Sequence, residues 1–187
     1  MHLPLPANLG LLYLSSELAL RFLKRSDPRA KRRDAGSLTV LWVTILASIG
    51  AAVAVVYFLP RFNFVLTPAV AQIFGLLFAV GLVLRWWSIL SLGRFFTVDV
   101  AIAQDHELIV RGPYHWMRHP SYTGMMLVFI ALATTFQNWL SIACILIPIS
   151  CALAYRIYIE EIALEVTFGD AYQEYARTTK RLIPGVF

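Results

Sequence analysis

The sequence has little charge and little cysteine, and the shortage of charge excludes a soluble globular domain. Of its 187 residues, 14% are charged and 59% are hydrophobic, whereas soluble domains carry about 25% charged residues. Its two cysteines, Cys144 and Cys151, lie in one apolar run without the partner residues that a metal site needs. We therefore predict that they are buried packing thiols rather than a disulfide or metal ligands.

The motifs of the common soluble enzyme classes are missing as well. There is no Cys-x-x-Cys pair, and we predict no metal site. There is no Gly-x-Ser-x-Gly elbow of a serine hydrolase, and neither a Gly-x-Gly-x-x-Gly nor a Walker loop of a soluble nucleotide-binding fold. No internal repeat is present, which argues against a transporter built from repeated halves.

The hydrophobic residues that are present form long runs, and their lengths predict helices that cross a membrane. A helix rises 1.5 Å per residue, so about 20 apolar residues cross a hydrocarbon core of about 30 Å. We predict an all-α integral membrane protein with five transmembrane helices, at residues 7–23, 38–59, 69–90, 120–136 and 139–155. Residues 91–119 are predicted to form a long cytoplasmic connection that folds onto the membrane face.

Basic residues predict the orientation of these helices. Six of the 16 lysines and arginines lie in residues 24–33, between the first two spans, and only Arg61 falls on the predicted outer side. This distribution favours a topology signal over a nucleic-acid site, with the N-terminus outside and the C-terminus in the cytoplasm. Within the spans, Glu17 and Arg21 are predicted to pair on one helix face. Arg85 and its neighbouring tryptophans are predicted to form an interfacial belt, with a substrate contact as the alternative.

Polar residues concentrate in residues 112–124, between two apolar regions. Pro120 suits the first turn of a helix, because its missing N–H costs nothing there. Arg118 and His119 are therefore predicted to stand at a positive helix N-terminus, where anions bind well. This segment predicts an anion site at the membrane surface.

An acidic cluster lies further along the chain, at Glu160, Glu161 and Glu165. Carboxylates in the C-terminal part of a helix oppose the helix dipole, so a cation should compensate them. Arg156 lies four residues before Glu160 and can pair with it, although it does not account for Glu161. An anion site near His119 and a cation site near Glu160 together suit a zwitterion, and a plain ion-pair network is the alternative.

The C-terminal region predicts a stop and a short final helix. The preceding helix is expected to run to Phe168 and to stop at Gly169. Asp170 and Gln173 have the spacing of a capping box for the next helix. That helix carries Tyr172, Tyr175 and Thr179 at helical spacing, and it is predicted to lie at the membrane interface or over a site.

Several motifs in the second half of the chain strongly resemble the isoprenylcysteine carboxyl methyltransferase family. They are Leu92-Gly93-Arg94-Phe95-Phe96-Thr97, then His106-Glu107-Leu108-Ile109-Val110 with Gly112-Pro113-Tyr114, then Arg118-His119-Pro120-Ser121-Tyr122-Thr123-Gly124. A C-terminal signature is also similar, in Arg156-x-x-x-Glu160-Glu161, Phe168-Gly169-x-x-Tyr172-x-x-Tyr175 and Leu182-Ile183-Pro184. The likeness covers residues 92 to the end, and the first three spans match only in hydrophobicity.

This resemblance implies a membrane methyltransferase that uses S-adenosyl-L-methionine without a Rossmann domain. It implies one membrane domain, 1–187, with three spans in 1–90 and a catalytic half in 91–187. The cytoplasmic loop and the C-terminal amphipathic helix would close a cofactor pocket that is reached from the cytosol. The acceptor would be an isoprenylcysteine-like or other lipophilic carboxylate that enters from the bilayer, among membrane lipids.

The resemblance also assigns residues by position. Arg156 would hold the carboxylate of the acceptor, and Glu160 would contribute to both catalysis and cofactor binding. The expected cofactor contacts are Asp99, His106, Glu107, Leu108, Ile109, Tyr114, His119, Pro120, Ser121, Tyr122, Glu160 and Glu161. S-adenosylmethionine carries a carboxylate, which suits the His119 helix start, and an ammonium, which suits Glu160.

Other functions stay open at this stage. A phospholipid, a lipophilic amine or a thiol is compatible with the same site as the methyl acceptor. A sterol-reductase-like NADPH oxidoreductase and a non-catalytic membrane adaptor are the remaining alternatives. The expected location is the plasma membrane of a bacterium or archaeon, or the endoplasmic reticulum of a eukaryote, with a cytoplasmic active site.

Overall fold

The computed structural model describes residues 5–23, 31–32, 36–96, 101–102 and 107–185, and these residues form a helical bundle. Its α-helices are α1 (Leu5–Leu23), α2 (Ser37–Phe58), α3 (Pro68–Leu92), α4 (Pro120–Thr134), α5 (Trp139–Phe168) and α6 (Asp170–Thr178). Short 3-10 turns lie at Pro60–Phe62, Gly93–Phe95 and Gly112–His115. Two-residue strands, β1 (Lys31–Arg32) and β2 (Ala101–Ile102), pair in antiparallel fashion.

Three of the described helices are long and apolar enough to cross a membrane, so the protein is an integral membrane protein. They are α2, α3 with the turn that follows it, and α5. The apolar helix α4 is shorter, with 15 residues, and α1 has 19 residues that include Glu17. Length and hydropathy alone therefore do not show that α1 and α4, the other two predicted spans, cross the membrane.

Local signals account for most helix ends. Pro68 and Pro120 occupy first-turn positions, and the side chain of Asn138 accepts the Ser141 N–H at 3.0 Å. As predicted, α5 ends at Phe168 and is followed by Gly169, whose φ of 53° a residue with a Cβ adopts only at a cost.

Two local predictions were wrong. The capping box does not form, because Gly169 is the N-cap of α6 without a side-chain cap bond and Gln173 donates to Glu165 across the turn at 2.9 Å. Cys151 is exposed on the outside of α5 rather than buried, and Cys144 is half-buried, both as free thiols.

A close contact between α3 and α4 organises the bundle. A Cβ placed on Gly81 would lie 2.7 Å from the Gly124 carbonyl oxygen, and a Cβ on Gly124 would lie 2.6 Å from the Gly81 oxygen. Small residues allow this backbone contact, which is a common way for helices to associate in membranes. Arg85 lies one turn after Gly81 and takes part in the same contact. A Cβ placed on Gly124 would lie 2.8 Å from the backbone nitrogen of Arg85.

The connections at one end of the bundle are tied together by amide side chains. Buried Asn138, between α4 and α5, donates to Asn63 Oδ1 at 2.7 Å and to the Leu59 carbonyl at 3.2 Å. The Phe64 N–H donates to the Gln137 carbonyl at 2.9 Å. The α2–α3 connection and the α4–α5 connection therefore lie at the same end, opposite the polar segment near Pro120.

Helix α1 docks through a single stripe of residues. Tyr13 packs edge-on against Phe129 with ring centroids 5.3 Å apart, and the Trp86 indole N–H donates to Ser16 at 2.7 Å. Glu17 pairs with Arg85, with N–O distances of 2.5 and 2.6 Å.

The position of Arg85 corrects one prediction: Arg85 is buried rather than placed in an interfacial belt. The reason is the Gly81–Gly124 contact, which turns this face of α3 toward α1 and α4. The predicted pairing of Glu17 with Arg21 stays a prediction, because the Arg21 side chain lies outside the described residues.

Candidate active site

A cavity lies where α3 ends and α4 begins, at the end of the bundle opposite Asn138. It offers about 140 Å³ to the centres of water-sized molecules, roughly ten times the 10–15 Å³ that a single water needs. Its walls come from α1 to α6 and from residues that connect α3 to α4. The cavity is therefore large enough for an organic ligand.

Most of the residues predicted for the site meet in this cavity. Nine of them line it: Glu107, Leu108, Ile109, Tyr114, His119, Ser121, Tyr122, Arg156 and Glu160. Pro120 is buried behind the wall, and Glu161 is turned to an ion-pair cluster beside it. Asp99 and His106 lie outside the described residues. Segments almost 50 residues apart in the chain are thus brought to one place.

The polar centre of the cavity is a chain of three side chains. The Tyr122 hydroxyl donates to Glu160 Oε2 at 2.6 Å and accepts a bond from Arg156 Nε at 3.0 Å. A second Arg156 nitrogen donates to the Ser37 hydroxyl at 2.9 Å. Arg156 is only 4% exposed. Tyr122 therefore bridges the two residues that the sequence predicted to pair directly, and Ser37 was not predicted at all.

Glu161 is the centre of a separate ion-pair cluster. Its carboxylate lies 2.9 Å from an Arg118 nitrogen, 3.3 Å from His119 Nε2 and 2.7 Å from an Arg181 nitrogen. The hydrogen bonds to Glu161 raise the pKa of Arg181, which therefore stays charged. This cluster explains the Glu161 carboxylate, for which pairing with Arg156 could not account. It supports the ion-pair alternative for Glu161.

The C-terminal segment packs on the start of α4. The Arg118 N–H donates to the Lys180 carbonyl at 2.8 Å, and the His119 N–H donates to the Arg181 carbonyl at 2.9 Å. The Thr123 hydroxyl donates to the Leu182 carbonyl at 2.9 Å. These bonds place the Leu182-Ile183-Pro184 motif beside the site.

Helix α6 lies over the cavity, which was one of its two predicted positions. Tyr172 and Tyr175 line the cavity, and the Tyr175 hydroxyl donates to the Tyr114 carbonyl at 2.5 Å. Burial raises the pKa of Tyr114, Tyr172 and Tyr175, so these phenols stay neutral at physiological pH. Phe95, Phe96 and Phe168 add to this aromatic part of the wall.

Another part of the cavity lining is apolar and comes mostly from α2. Leu38, Leu41, Trp42 and Ile45 line the cavity at helical spacing, together with Met125 of α4. The lining therefore combines an aromatic set of residues with an apolar set, and Arg156 bonds to Ser37, the residue before Leu38.

The helix start at His119 offers fewer free donors than the sequence predicted. Pro120 has no N–H, and the N–H groups of Tyr122 and Thr123 donate to the His119 carbonyl. His115, four residues before His119, is exposed on a 3-10 turn. Over the described residues no group of three or more potential ligands could hold a metal ion.

Two cavity residues were not among the predicted site residues, although a substrate contact was the alternative interpretation for Arg85. Glu17 and Arg85 both line the cavity, although they lie in the N-terminal half of the chain. The available signal was a charged residue within an apolar run, which in a membrane protein indicates a functional position.

This arrangement defines a class: an integral membrane protein with a cavity at one end of the bundle that is lined by polar, aromatic and apolar residues. Comparisons with known proteins show the family. The model of the isoprenylcysteine carboxyl methyltransferase (ICMT) family matches residues 73–166, half of the chain. The chain belongs to the isoprenylcysteine carboxyl methyltransferase family.

Individual relatives carry the same family name. The chain is 34% identical over 116 residues to protein-S-isoprenylcysteine O-methyltransferase B of Arabidopsis thaliana. The aligned region covers 60% of this chain and 59% of the relative. It is 36% identical over 107 residues to the Tribolium castaneum enzyme, covering 56% of this chain and 38% of that one. The chain thus spans about 40 to 60% of these relatives' length.

A solved structure shares the fold. It is the eukaryotic intramembrane Ras methyltransferase ICMT, with a TM-score of 0.68 and 25% sequence identity. The match covers 94% of this chain and 63% of that chain. The likeness therefore includes the N-terminal helices, which the sequence motifs did not reach.

Proposed function

We propose that this chain is an S-adenosylmethionine-dependent membrane methyltransferase that methylates the carboxylate of an isoprenylcysteine-like or other lipophilic acceptor. One observation carries the proposal: the Arg156–Tyr122–Glu160 chain lies in a cavity that is lined both by aromatic residues and by apolar residues of α2. A polar methyl donor with an aromatic base suits Glu160 and the aromatic residues, and a lipid tail suits the apolar residues. Membership of the family supports both assignments.

The polar and aromatic residues of the cavity fit the proposed cofactor. S-adenosylmethionine combines an amino acid zwitterion with a flat aromatic base, and it supplies an electrophilic methyl group when it is bound. Glu160 provides a carboxylate for the ammonium. His119 and Ser121, at the start of α4, are polar groups on the same wall for the carboxylate. The aromatic residues Tyr114, Phe168 and Tyr172 suit the base.

The chain's own residues would mainly bind, orient and exclude water. Arg156 would hold the acceptor carboxylate with charge-assisted hydrogen bonds, while Tyr122 and Ser37 keep its guanidinium in place. A carboxylate acceptor is already ionised at neutral pH and needs no general base. Methyl transfer is an in-line displacement, so alignment of donor and acceptor in a dry site is the expected source of the rate enhancement.

We also propose that the cavity faces the cytoplasm and that five helices cross the membrane. The excess of basic residues on this side of the spans supports the orientation. The cell membrane of a prokaryote and the endoplasmic reticulum of a eukaryote both give such a site access to cytosolic methyl donor. Helix α6 and the C-terminal segment would then cover the donor from the cytosolic side.

Two measurements on the purified protein test this function. Calorimetry should detect micromolar binding of S-adenosylhomocysteine, the demethylated product, and no binding of NADPH. Glu160→Gln should weaken that binding, while Glu174→Gln, on the exposed face of α6, should not. Binding of NADPH without binding of the methyl donor would overturn the proposal in favour of a reductase.

Transfer of tritiated methyl groups identifies the acceptor. Membranes are assayed with a prenylcysteine, a matched prenylcysteine amide, a phospholipid with a primary amine and a small lipophilic thiol. We expect label on the free prenylcysteine and none on the amide, and Arg156→Lys should reduce it. Label on the phospholipid or the thiol alone would exclude the carboxylate acceptor and the role of Arg156.

A further inference from the structure

A second arginine–glutamate pair lines the cavity, from the N-terminal half of the chain. Arg85 of α3 donates two hydrogen bonds to the carboxylate of Glu17 on α1, at 2.5 and 2.6 Å. Each residue is 7% exposed. Two parallel N–H···O bonds of this kind fix the plane of the guanidinium. The pair therefore holds Arg85 in one orientation.

The third described bond of Arg85 reaches the start of α4. The guanidinium donates to the Ser121 hydroxyl at 2.9 Å. Ser121 lines the cavity, and its neighbour Tyr122 accepts a bond from Arg156. Two consecutive residues of α4 are thus held by two arginines, one from α3 and one from α5.

Stability alone gives a poor reason for the Glu17–Arg85 pair. Removing two charges from water costs several kcal/mol per ion, and apolar residues of similar volume are often as stable in such a place. The rest of α1 is rich in leucine, with Leu11, Leu14 and Leu18 exposed on its outer face. A charged pair within such a helix indicates a function at the cavity.

We propose that Arg85 is a positioning residue of the methyl-donor site. It holds the Ser121 hydroxyl toward the cavity at the first turn of α4, and Glu17 orients its guanidinium. Helix α1 thereby completes the site rather than only covering it. This inference rests on the proposed function, because Ser121 is assigned there to the donor.

Arg85→Lys tests the geometry, because lysine keeps the charge but loses the planar set of donors. We expect it to weaken binding of S-adenosylhomocysteine about tenfold, the effect of about one charge-assisted hydrogen bond. Glu17→Gln, a milder change, should weaken it in the same direction, and the Michaelis constant for the methyl donor should rise more than kcat falls. Combined with Ser121→Ala, Arg85→Lys should add little further loss.

Ser16→Ala is the matched control. Ser16 lies beside Glu17 on α1 and also ties α1 to α3, through Trp86, but it does not line the cavity. We expect it to leave binding within twofold of wild type, with a thermal midpoint above that of Glu17→Gln, which leaves the Arg85 charge buried without its partner. An equal loss of binding in Ser16→Ala would overturn the proposal, because docking of α1 would then explain the effect.

Two further outcomes separate this inference from the proposed function. Fully additive losses for Arg85→Lys and Ser121→Ala would show that Arg85 does not act through Ser121 and would overturn the inference alone. If the wild-type protein binds no S-adenosylhomocysteine, the proposed function fails instead. Thermal unfolding then tests whether Arg85 and Ser121 are coupled. It compares the midpoints of the wild type, Arg85→Lys, Ser121→Ala and the double variant. Additive losses of thermal stability would also overturn the inference.

Discussion

At the scale of single residues, the Tyr122 hydroxyl holds the polar centre of the cavity together. It donates to Glu160 and accepts from Arg156, both of which are also cavity residues. Without the hydroxyl, a carboxylate oxygen of Glu160 and the buried guanidinium of Arg156 would each lose a partner. A buried group that loses its partner costs about 1–3 kcal/mol. Tyr122 is therefore expected to do more than contact the cofactor.

Tyr122→Phe should lower kcat/KM for methyl transfer about 10- to 100-fold, the equivalent of about 1.4–2.7 kcal/mol in the transition state. The ring and its packing are kept, so the thermal midpoint should fall only by the cost of the lost hydrogen bonds, about 1–3 kcal/mol. Tyr155→Phe is the control, since Tyr155 lies one residue before Arg156 but is exposed on the outer face of α5. Steady-state kinetics of both variants check the prediction, and equal rates would contradict it.

The sequence indicated which residues meet at the cavity better than it indicated their hydrogen-bond partners. Arg156 and Glu160 were predicted to pair because they lie four apart, and that much is local information. The bridging Tyr122 and the Ser37 bond connect residues 34 and 119 positions apart from Arg156. The Glu17–Arg85 pair spans 68 positions. Spacing along one helix carries no information about such contacts, because they depend on how helices pack.

At the scale of helices, ends were predictable where a single residue decides them. Pro120 begins α4 and Gly169 ends α5, as the sequence indicated. The capping box failed because Gln173 found Glu165 across the turn instead. Packing between helices was not predictable from hydropathy, since lipid-facing and core-facing apolar residues look alike in a membrane span. The Gly81–Gly124 contact decides it here.

Gly124→Ala tests that contact. Its new Cβ would meet backbone atoms of Gly81 and Arg85 at 2.6–2.8 Å, so α3 and α4 would have to move apart. Overpacking of this kind costs about 1–3 kcal/mol, and the Arg85–Ser121 bond should lengthen with it. We expect a lower thermal midpoint and weaker binding of S-adenosylhomocysteine.

Gly75→Ala is the control for this change, because it lies in α3, the other helix of the contact, and a Cβ there meets nothing within 4 Å. Alanine is favoured over glycine inside a helix by roughly 0.5–1 kcal/mol. The midpoint of Gly75→Ala should therefore stay level or rise. A Gly124→Ala protein as stable as Gly75→Ala would mean that α3 and α4 separate freely.

At the scale of the whole molecule, composition predicted the membrane class, whereas the number of crossings depends on where helix ends lie. Helix α4 has only 15 residues, about 22 Å. Yet its N-terminus lies at the cavity, and the residue after its C-terminal turn, Asn138, bonds to Asn63 at the opposite end. Helix α4 therefore runs the length of the bundle although it is shorter than a typical span.

Helix α1 runs antiparallel to α4, because it approaches the cavity with its C-terminal half whereas α4 starts there. Tyr13 contacts Phe129 in the middle of α4, and Glu17, one turn later, reaches Arg85 at the cavity. The start of α1 therefore points to the end of the bundle that carries Arg61. If the cavity faces the cytoplasm, residues near Leu5 should lie outside together with Arg61, and Lys180 should lie inside.

Cysteine labelling in intact and permeabilised cells tests this topology. The background carries Cys144→Ala and Cys151→Ala, and single cysteines replace Leu5, Arg61 or Lys180, all of which are exposed. A membrane-impermeant maleimide should label Leu5→Cys and Arg61→Cys in intact cells, and Lys180→Cys only after permeabilisation. Labelling of Lys180→Cys in intact cells would reverse the orientation and place the cavity outside. Protection of Leu5→Cys with labelling of Arg61→Cys would mean that α1 does not cross, and Glu17 would then reach Arg85 from the membrane surface.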